Sequence, residues 1–454
     1  MQERLESPTA SRLWSAASPI TSVSRVALLS VHTCPLDQPG MGDSGGMNVY
    51  VRSVARRLAE MGVAVDIFTR WSGKGELVRE VDPGVRVIHL IAGPDRPVPK
   101  EELDEHVCEF LYSLLRFESN EAASLGIASP IYDAVHSHYW LSGRVGRLAA
   151  ERWRIPLLQS FHTLGRVKNM NLSPGDEPEP AARITAEERI VEQADCILAP
   201  TIEEARDLVR LYGAEPDRVR VVTPGVDTEV FTPGDRSAAK QALGLGGRDV
   251  VLFAGRFQLL KSPDLAVRAV ARLCEVAPGL DPVLLMLGGP SGRAGLRAED
   301  LEKLAADLGI ADRVLLRDPV PHDDLPGFYR AADAVLVPSR TESFGLVALE
   351  ASACGTPVVA TDVGGLRTAV RDGVTGSLVA GRDPEDFARA LAHILTDRRS
   401  AAAMDKPARG TRAATTGGAP LPICCSSTKS KVRSLQKPPA RRPAAQPGPA
   451  IIGP

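Results

Sequence analysis

The sequence predicts an α/β protein built from two doubly wound halves that face each other across a cleft. Three observations carry this. From Val23 onward, short apolar runs alternate with amphipathic stretches, the pattern of helices packed on a parallel sheet. The alternation restarts near the middle of the chain. Between the two runs lie Pro224-Gly225-Val226-Asp227 and Thr232-Pro233-Gly234-Asp235, turn-forming clusters that read as an interdomain connection. A single doubly wound domain with a cap is the other arrangement the pattern allows. A chain of 454 residues is long enough for two or three cores.

In the first half, an apolar strand at 25–31 leads through a glycine-rich loop into a helix around 49–61. Further strands are expected at 63–68, 85–90, 134–136, 157–160, 196–199 and 219–222. The second half opens with a strand at 249–253, bends at Gly255 and enters a helix at 264–276. Strands follow at 283–287, 314–316, 334–337 and 357–360. The expected division is a polar, disordered leader at 1–22, a first domain at 23–223, a second at 224–404, and a disordered tail at 405–454. That tail is rich in Pro, Ala, Ser, Thr and basic residues and has no sustained apolar period.

A net charge of −2 with 24% charged residues carries no global bias toward nucleic acid or an anionic membrane. The longest apolar runs, such as Val250 to Ala254 and Val283 to Leu287, are strand-sized and far short of the roughly 20 residues of a membrane span. Seven scattered cysteines without a Cys-x-x-Cys pair form no zinc spacing, so a reduced cytoplasm is the simplest compartment. The first 22 residues lack the basic-then-apolar order of a secretory signal.

The stretch Thr341 to Glu350 is the richest in chemistry. Glu342 follows the strand at 334–337 at its carboxyl end, where ligands bind in open α/β sheets. Glu350 lies in the helix begun by Leu346, and eight helical residues span roughly 12 Å. That is about the reach from a donor sugar past a diphosphate to a ribose. The main-chain N–H groups near Phe344, Gly345 and Leu346 would then point at the diphosphate from the helix N-terminus. The plainer possibility is two helix-start acids favoured by the macrodipole. Arg256 and Lys261, just beyond the strand at 249–253, could bind a diphosphate as fork and point charge, or form a solvated basic loop. The loop Gln38 to Asn48 carries glycines that permit close backbone approach to a ligand, although a plain turn would use them too. It is neither a Walker loop nor a dinucleotide fingerprint, which disfavours a dehydrogenase. His32 and His162 follow strands at their carboxyl ends and so favour the cleft. His136 and His138 share one face of an extended segment; with no acid or Cys at ligand spacing, a packed or hydrogen-bonded role is expected.

Taken together, the Gly-Gly-Met-Asn loop, Arg256 with Lys261, and Glu342 with Glu350 resemble the retaining glycosyltransferases of family four, which have the GT-B fold of two Rossmann-like domains. The resemblance runs roughly from Arg25 to Leu395. Within that family, Ser30-Val31-His32-Thr33, Gln38-Pro39-Gly40, Asp43-Ser44-Gly45-Gly46-Met47-Asn48-Val49-Tyr50 and Phe161-His162-Thr163-Leu164-Gly165 are similar to the branch that serves mycothiol biosynthesis. The resemblance implies retaining transfer of N-acetylglucosamine from UDP-N-acetylglucosamine to 1D-myo-inositol 3-phosphate; a homodimer is compatible with the sequence, and no nucleic-acid or membrane partner is expected from its charge and apolar runs.

By the same resemblance, the first domain binds the acceptor and the second the donor. Glu342 would contact the donor sugar, Glu350 the ribose, Arg256 and Lys261 the diphosphate, and main chain near Val320 the uracil. His32, Gln38, Pro39 and Gly46 would complete the donor pocket. Asp43, Ser44, Gly45, Gly46, Met47 and Asn48 would meet the acceptor, with Lys100, Tyr132, Thr163 and Arg183 around it. Glu342, Arg256, Lys261 and His162 would carry catalysis. A structural magnesium site at Tyr329, Arg330, Ala332 and Thr356 is implied too, through carbonyl oxygens, with no cofactor in the chemistry. The expected mechanism is attack by the acceptor hydroxyl on the face from which UDP leaves, a donor phosphate oxygen taking the proton.

Other family-four activities, those of a sucrose-phosphate synthase or a phosphatidylinositol mannosyltransferase, stay open here, as does nucleotide binding without catalysis. The lack of a basic amphipathic helix disfavours a lipid acceptor. One departure from the family pattern is expected to matter: the last helices normally brace the first domain, and after Met404 no helical pattern remains. Weakened closure and stability, with activity at stake, is the expectation.

Overall fold

The structure, a computed structural model, describes residues 23–172, 177–291 and 296–396. The expected leader and tail lie outside the described residues. The first half is an eight-stranded sheet: β1 (Arg25–Leu29), β2 (Ala64–Arg70), β3 (Val78–Asp82), β4 (Val85–Leu90), β5 (Ala134–His138), β6 (Leu157–Ser160), β7 (Cys196–Ala199) and β8 (Val219–Val221). Its order is β3-β4-β2-β1-β5-β6-β7-β8, and every pairing is parallel except β3 with β4. The second half is a six-stranded parallel sheet: β9 (Asp249–Ala254), β10 (Pro282–Leu287), β11 (Val314–Arg317), β12 (Ala334–Val337), β13 (Val358–Thr361) and β14 (Gly376–Val379), in the order β11-β10-β9-β12-β13-β14. In each sheet the winding reverses beside its first strand, between β1 and β5 and between β9 and β12. A doubly wound sheet opens its ligand crevice at such a point.

Helices of the first half are α1 (Gly46–Glu60), α2 (Val107–Leu125), α3 (Tyr139–Trp153), α4 (Gly165–Asn169), α5 (Ala181–Gln193) and α6 (Ile202–Tyr212). Those of the second are α7 (Arg236–Ala242), α8 (Pro263–Val276), α9 (Ala298–Asp307), α10 (Leu325–Ala331), α11 (Leu346–Ala353), α12 (Leu366–Ala369) and α13 (Pro384–Thr396). Helices on both faces explain why the central strands read as unbroken apolar runs: successive side chains point to opposite faces, and both faces are covered. On β9, Val251 and Phe253 join the core formed with α8 and α13, while Val250 and Leu252 join the core beneath α10 and α11. Among the described residues no helix is long and apolar enough to cross a membrane.

Two strands have no counterpart in the expectation. β3 is a largely exposed edge strand whose Arg79, Glu80 and Asp82 hide any apolar run. β14 begins at Gly376, where a Cβ would sit 1.9 Å from the Val358 carbonyl oxygen, so the close pairing with β13 demands a residue without a side chain. α1 starts at Gly46, inside the glycine loop, and β5 runs on to His138.

Candidate active site

The carboxyl ends of the central strands open onto a cleft of about 330 Å³ shared by the two halves. Pro39, Gly45, Gly46, Met47, His162, Thr163 and Lys168 line it from the first half; Arg256, Lys261, Val320, Glu342, Gly345 and Glu350 line it from the second.

On the second-half wall the two acids are held by different chemistry. Glu342 leaves β12 on the loop that enters α11, and its carboxylate accepts from the Lys261 ammonium, with Ser339 Oγ 3.4 Å away. Gly345 caps α11 at φ 92°, a left-handed conformation that suits glycine. Gly364 and Gly365 lie beneath this loop, and the Gly365 N–H donates to the Glu342 carbonyl at 2.7 Å. Glu350 is almost fully buried. Its Oε2 accepts from the Tyr329 hydroxyl at 2.8 Å and its Oε1 lies 2.8 Å from His322 Nε2. Burial opposes charge on His322, but the hydrogen bond and charge of Glu350 outweigh it and raise the imidazole pKa. Arg256 reaches across the cleft: its Nη1 is 3.3 Å from Ser291 Oγ, and a Cβ at Gly45 would meet its Nε at 3.4 Å. Burial lowers the Arg256 pKa without threatening its charge.

On the opposite wall, some residues of the glycine loop face the cleft and others hold the loop. Asn48 is buried, giving Nδ2 to Thr33 Oγ1 at 2.9 Å and the Cys34 carbonyl at 2.6 Å, and accepting the Gly45 N–H at 3.1 Å. Ser44 Oγ donates to the Asp37 carbonyl at 3.1 Å. Asp43 pairs with Lys100 at 2.8 Å, and although burial works against the carboxylate, Lys100 keeps its pKa low. Beside the cleft, side chains bridge the halves where Gln38 Nε2 donates to the Val320 carbonyl, Ser291 Oγ to the Gly42 carbonyl, and Ser343 Oγ to the His162 carbonyl, and farther along α1 Arg56 pairs with Asp227. The Val320 carbonyl is therefore engaged by the first half.

Arg183 is 1% exposed, and all five guanidinium donors are spent. Nε meets Glu187 Oε1 at 2.7 Å; Nη1 meets Tyr139 OH at 3.0 Å and Glu179 Oε2 at 2.8 Å; Nη2 meets the Thr163 carbonyl at 2.9 Å and its Oγ1 at 3.0 Å. Glu179 also takes the Lys168 ammonium, and despite burial its two cations hold its pKa down to about 2. Tyr132, expected beside the acceptor, lies elsewhere. It is buried in the first core between Phe68 and Trp153, its hydroxyl donating to Asp66 at 2.8 Å. The tyrosine that reaches Arg183 is Tyr139, turned into place at φ 74° where β5 passes into α3, with His32 packed against its ring at 4.4 Å.

The histidines are packed and hydrogen bonded, as the sequence suggests. His136 and His138 stack at 4.1 Å; His136 Nε2 is 3.0 Å from Ser160 Oγ, and His138 Nδ1 is 3.0 Å from His162 Nε2. Loss of hydration pushes the pKa of both His32 and His162 down to about 3, so both rings are neutral near pH 7.

The four residues implied for magnesium cluster at the end of α10. The Tyr329 carbonyl accepts from Thr356 Oγ1 at 2.6 Å and from the Ala332 N–H at 3.2 Å, while the Arg330 guanidinium turns away to Thr232. Among the described residues no three or more His, Cys, Asp or Glu groups gather as for a metal. As a donor set of neutral oxygens, this fits only a structural ion that keeps most of its own water.

Beyond the expected set, the structure brings in Tyr139, Lys168, Ser291, His322 and Ser343. None of them carried a local signal in the sequence, since each is placed by pairings between segments separated along the chain.

Two doubly wound halves closing on such a cleft, with an arginine, a lysine and two acids on one wall, define the GT-B class of glycosyltransferases. Residues 45–225 match the family model described as a glycosyl transferase 4-like domain, and residues 235–411 the one described as glycosyl transferases group 1. A D-inositol 3-phosphate glycosyltransferase of Acidothermus cellulolyticus is 51% identical over 385 residues, covering 84% of each chain. That of Geodermatophilus obscurus is 55% identical over 379 residues, covering 82% of this chain and 83% of its own. Among solved structures, the sucrose-phosphate synthase of Thermosynechococcus elongatus aligns with a TM-score of 0.77 at 31% identity, covering 91% of this chain and 98% of that one. WaaG, a glycosyltransferase of lipopolysaccharide biosynthesis, shares the fold at a TM-score of 0.63 and 19% identity, covering 90% of this chain and 99% of its own. The chain belongs to the D-inositol 3-phosphate glycosyltransferase family, and it is an enzyme of glycosyl transfer.

Proposed function

We propose that the enzyme moves N-acetylglucosamine from UDP-N-acetylglucosamine to 1D-myo-inositol 3-phosphate with retention, in the cytoplasm. The observation that carries this reading is the second-half wall. Glu342 and Glu350 sit on one loop-helix segment with the α11 N-terminus between them, Lys261 is held on Glu342, and Arg256 lines the same cleft. That is the order sugar, diphosphate, ribose. Lys261, already on Glu342, can move its charge toward the β-phosphate as UDP leaves, and Arg256 meets the same group from beside Gly45. Preorganised charge at a leaving diphosphate supplies catalysis without a metal in the reacting centre. Glu342 is tied to an ammonium in this arrangement, which suits a sugar-hydroxyl acceptor better than a covalent nucleophile.

The acceptor side is rich in cations around one small volume: Lys100, Lys168 and, through Thr163, Arg183. Such a group supports a phosphorylated polyol over a neutral one. With every Arg183 donor engaged, its part is to fix Thr163 and Tyr139, while the Lys100 and Lys168 ammoniums, each paired with a carboxylate, keep further N–H donors for a phosphate. The test is UDP release from UDP-N-acetylglucosamine with inositol 3-phosphate, with unphosphorylated inositol and with no acceptor. Release only with the phosphorylated polyol is the expected result. Equal release in all three arms would overturn the acceptor assignment, and a sugar trapped covalently on the protein would overturn the same-face mechanism.

A further inference from the structure

His138 takes no place in the reaction as described, yet it is the most buried imidazole near the cleft, with no exposed surface. Its Nδ1 lies 3.0 Å from His162 Nε2, and its Nε2 is buried with no partner. Between two neutral imidazoles one nitrogen must donate and the other accept. If His162 donated, His138 would carry its proton on Nε2, and that buried N–H would be orphaned. Orphaned buried donors are rarer than orphaned acceptors. If His138 donates instead, its unpartnered Nε2 is only a lone pair, and the His162 proton goes to Nδ1. Among the described residues His162 Nδ1 meets no hydrogen-bond partner, and the residue lines the cleft. The His162 backbone stands at φ 62°, a strained value for a residue with a side chain, and its carbonyl is held by Ser343 from the other half. Backbone and ring are thus both fixed, one by each half of the protein.

We propose that His138 is a positioning residue that locks His162 in the Nδ1–H tautomer, so that His162 presents a hydrogen-bond donor, and not a base, to an oxygen of the donor substrate. The inference deepens the functional reading above and rests on it for the identity of the substrate. The oxygen belongs to a sugar hydroxyl or to a phosphate, which offer the same lone pair.

The first measurement needs no variant and no turnover. Two-bond ¹⁵N–¹H correlation spectra of the full-length protein labelled at histidine should show His162 protonated at Nδ1 and bare at Nε2; the opposite assignment overturns the proposal even if the enzyme is active. Addition of UDP-N-acetylglucosamine should shift the Nδ1–H resonance. A shift with UDP alone assigns the oxygen to phosphate, a shift only with the sugar nucleotide assigns it to the sugar, and no shift with either overturns the contact. In the second measurement, His138→Phe keeps the ring volume and removes the bond, while His138→Asn keeps an N–H near the Nδ1 position. We expect His138→Phe to mix the His162 tautomers and lower kcat by about 10-fold with the KM for inositol 3-phosphate unchanged, as for loss of one oriented hydrogen bond. His138→Asn should recover most of that loss. A His138→Phe protein with a single unchanged tautomer and wild-type kcat would show that His138 positions nothing. Wild-type enzyme that releases no UDP would instead sink the functional reading and leave the tautomer result standing.

Discussion

Gly365→Ala separates the placement of Glu342 from its chemistry. A Cβ at Gly365 would lie 2.3 Å from Phe344 Cα and 2.4 Å from the Ser343 carbonyl oxygen, main-chain atoms that cannot swing aside as a side chain does. Non-bonded carbons rest at roughly 3.5 Å, so the loop carrying Glu342 must retreat by about 1 Å. The 2.7 Å bond from the Gly365 N–H to the Glu342 carbonyl would be lost in the movement. Overpacking of this kind costs about 1–3 kcal/mol, which for a domain of this size lowers the melting temperature by roughly 2–4 °C per kcal/mol. A reacting group displaced by about 1 Å loses on the order of 100-fold in rate. The acceptor wall belongs to the other half and should be spared. The assay is UDP release under saturating donor, with a thermal melt of the same sample: a drop of about 100-fold in kcat is expected, with the KM for inositol 3-phosphate within about twofold of wild type. Wild-type turnover from a protein that melts normally would refute the argument that the glycine pair sets the position of Glu342.

Lys261→Met removes the ammonium from Glu342 and from the leaving group; with charge-assisted bonds worth about 1.5–3 kcal/mol, kcat should fall about 10- to 100-fold, and a loss confined to KM would place Lys261 in ground-state binding only. Tyr329→Phe leaves Glu350 Oε2 without its 2.8 Å donor, and calorimetric titration with UDP should show affinity weakened by about 5- to 10-fold; an unchanged Kd would mean that Glu350 does not depend on this bond. Burial pushes the pKa of His136 from 6.5 down to about 4 and that of His138 well below 6.5. The unfolded chain takes up protons that the native one refuses, so this stability is present above pH 6.5 and is lost as pH falls toward 4, by up to about 1.4 kcal/mol per pH unit for each ring. Melting temperatures at pH 7, 6 and 5 should decline, and His136→Gln should flatten the decline; an equally steep fall in the variant would assign it to other groups.

The parallel strands were legible because burial on both faces leaves a continuous apolar run, as at β9 and β10, where sequence and structure agree to within a residue. β3 was not legible, since an exposed edge strand gains nothing from apolar residues and Val-Arg-Glu-Val-Asp looks like a loop. Arg256, Lys261 and Glu342 could be found because each lies on a loop that follows a strand, where the fold dictates that ligands bind, and Glu350 because it lies on the helix that the Glu342 loop enters. The acceptor wall is assembled from segments far apart in the chain. Tyr132 and Tyr139 are seven residues apart and chemically identical, and only the left-handed turn at Tyr139 decides which one reaches Arg183. Likewise no local pattern could announce that Arg183, a good phosphate ligand by type, would spend every donor on its own protein.

The glycines of the first-half loop are read by the second half. A Cβ at Gly40 would meet Pro319 at 3.1 Å, one at Gly46 would meet Leu346 at 3.3 Å, and one at Gly45 would meet Arg256 at 3.4 Å. Each of these small residues is thus a term in a fit between two domains that are otherwise separate sheets with separate cores. Exchange of whole halves between relatives is therefore not free modular shuffling. A chimaera that keeps the loop at 38–48 together with the Arg256 and Pro319 segments it presses against inherits a matched joint, whereas one cut between them joins surfaces selected for other partners. The unit of inheritance in this enzyme is the seam, and the domain boundary in the chain falls in the wrong place to preserve it.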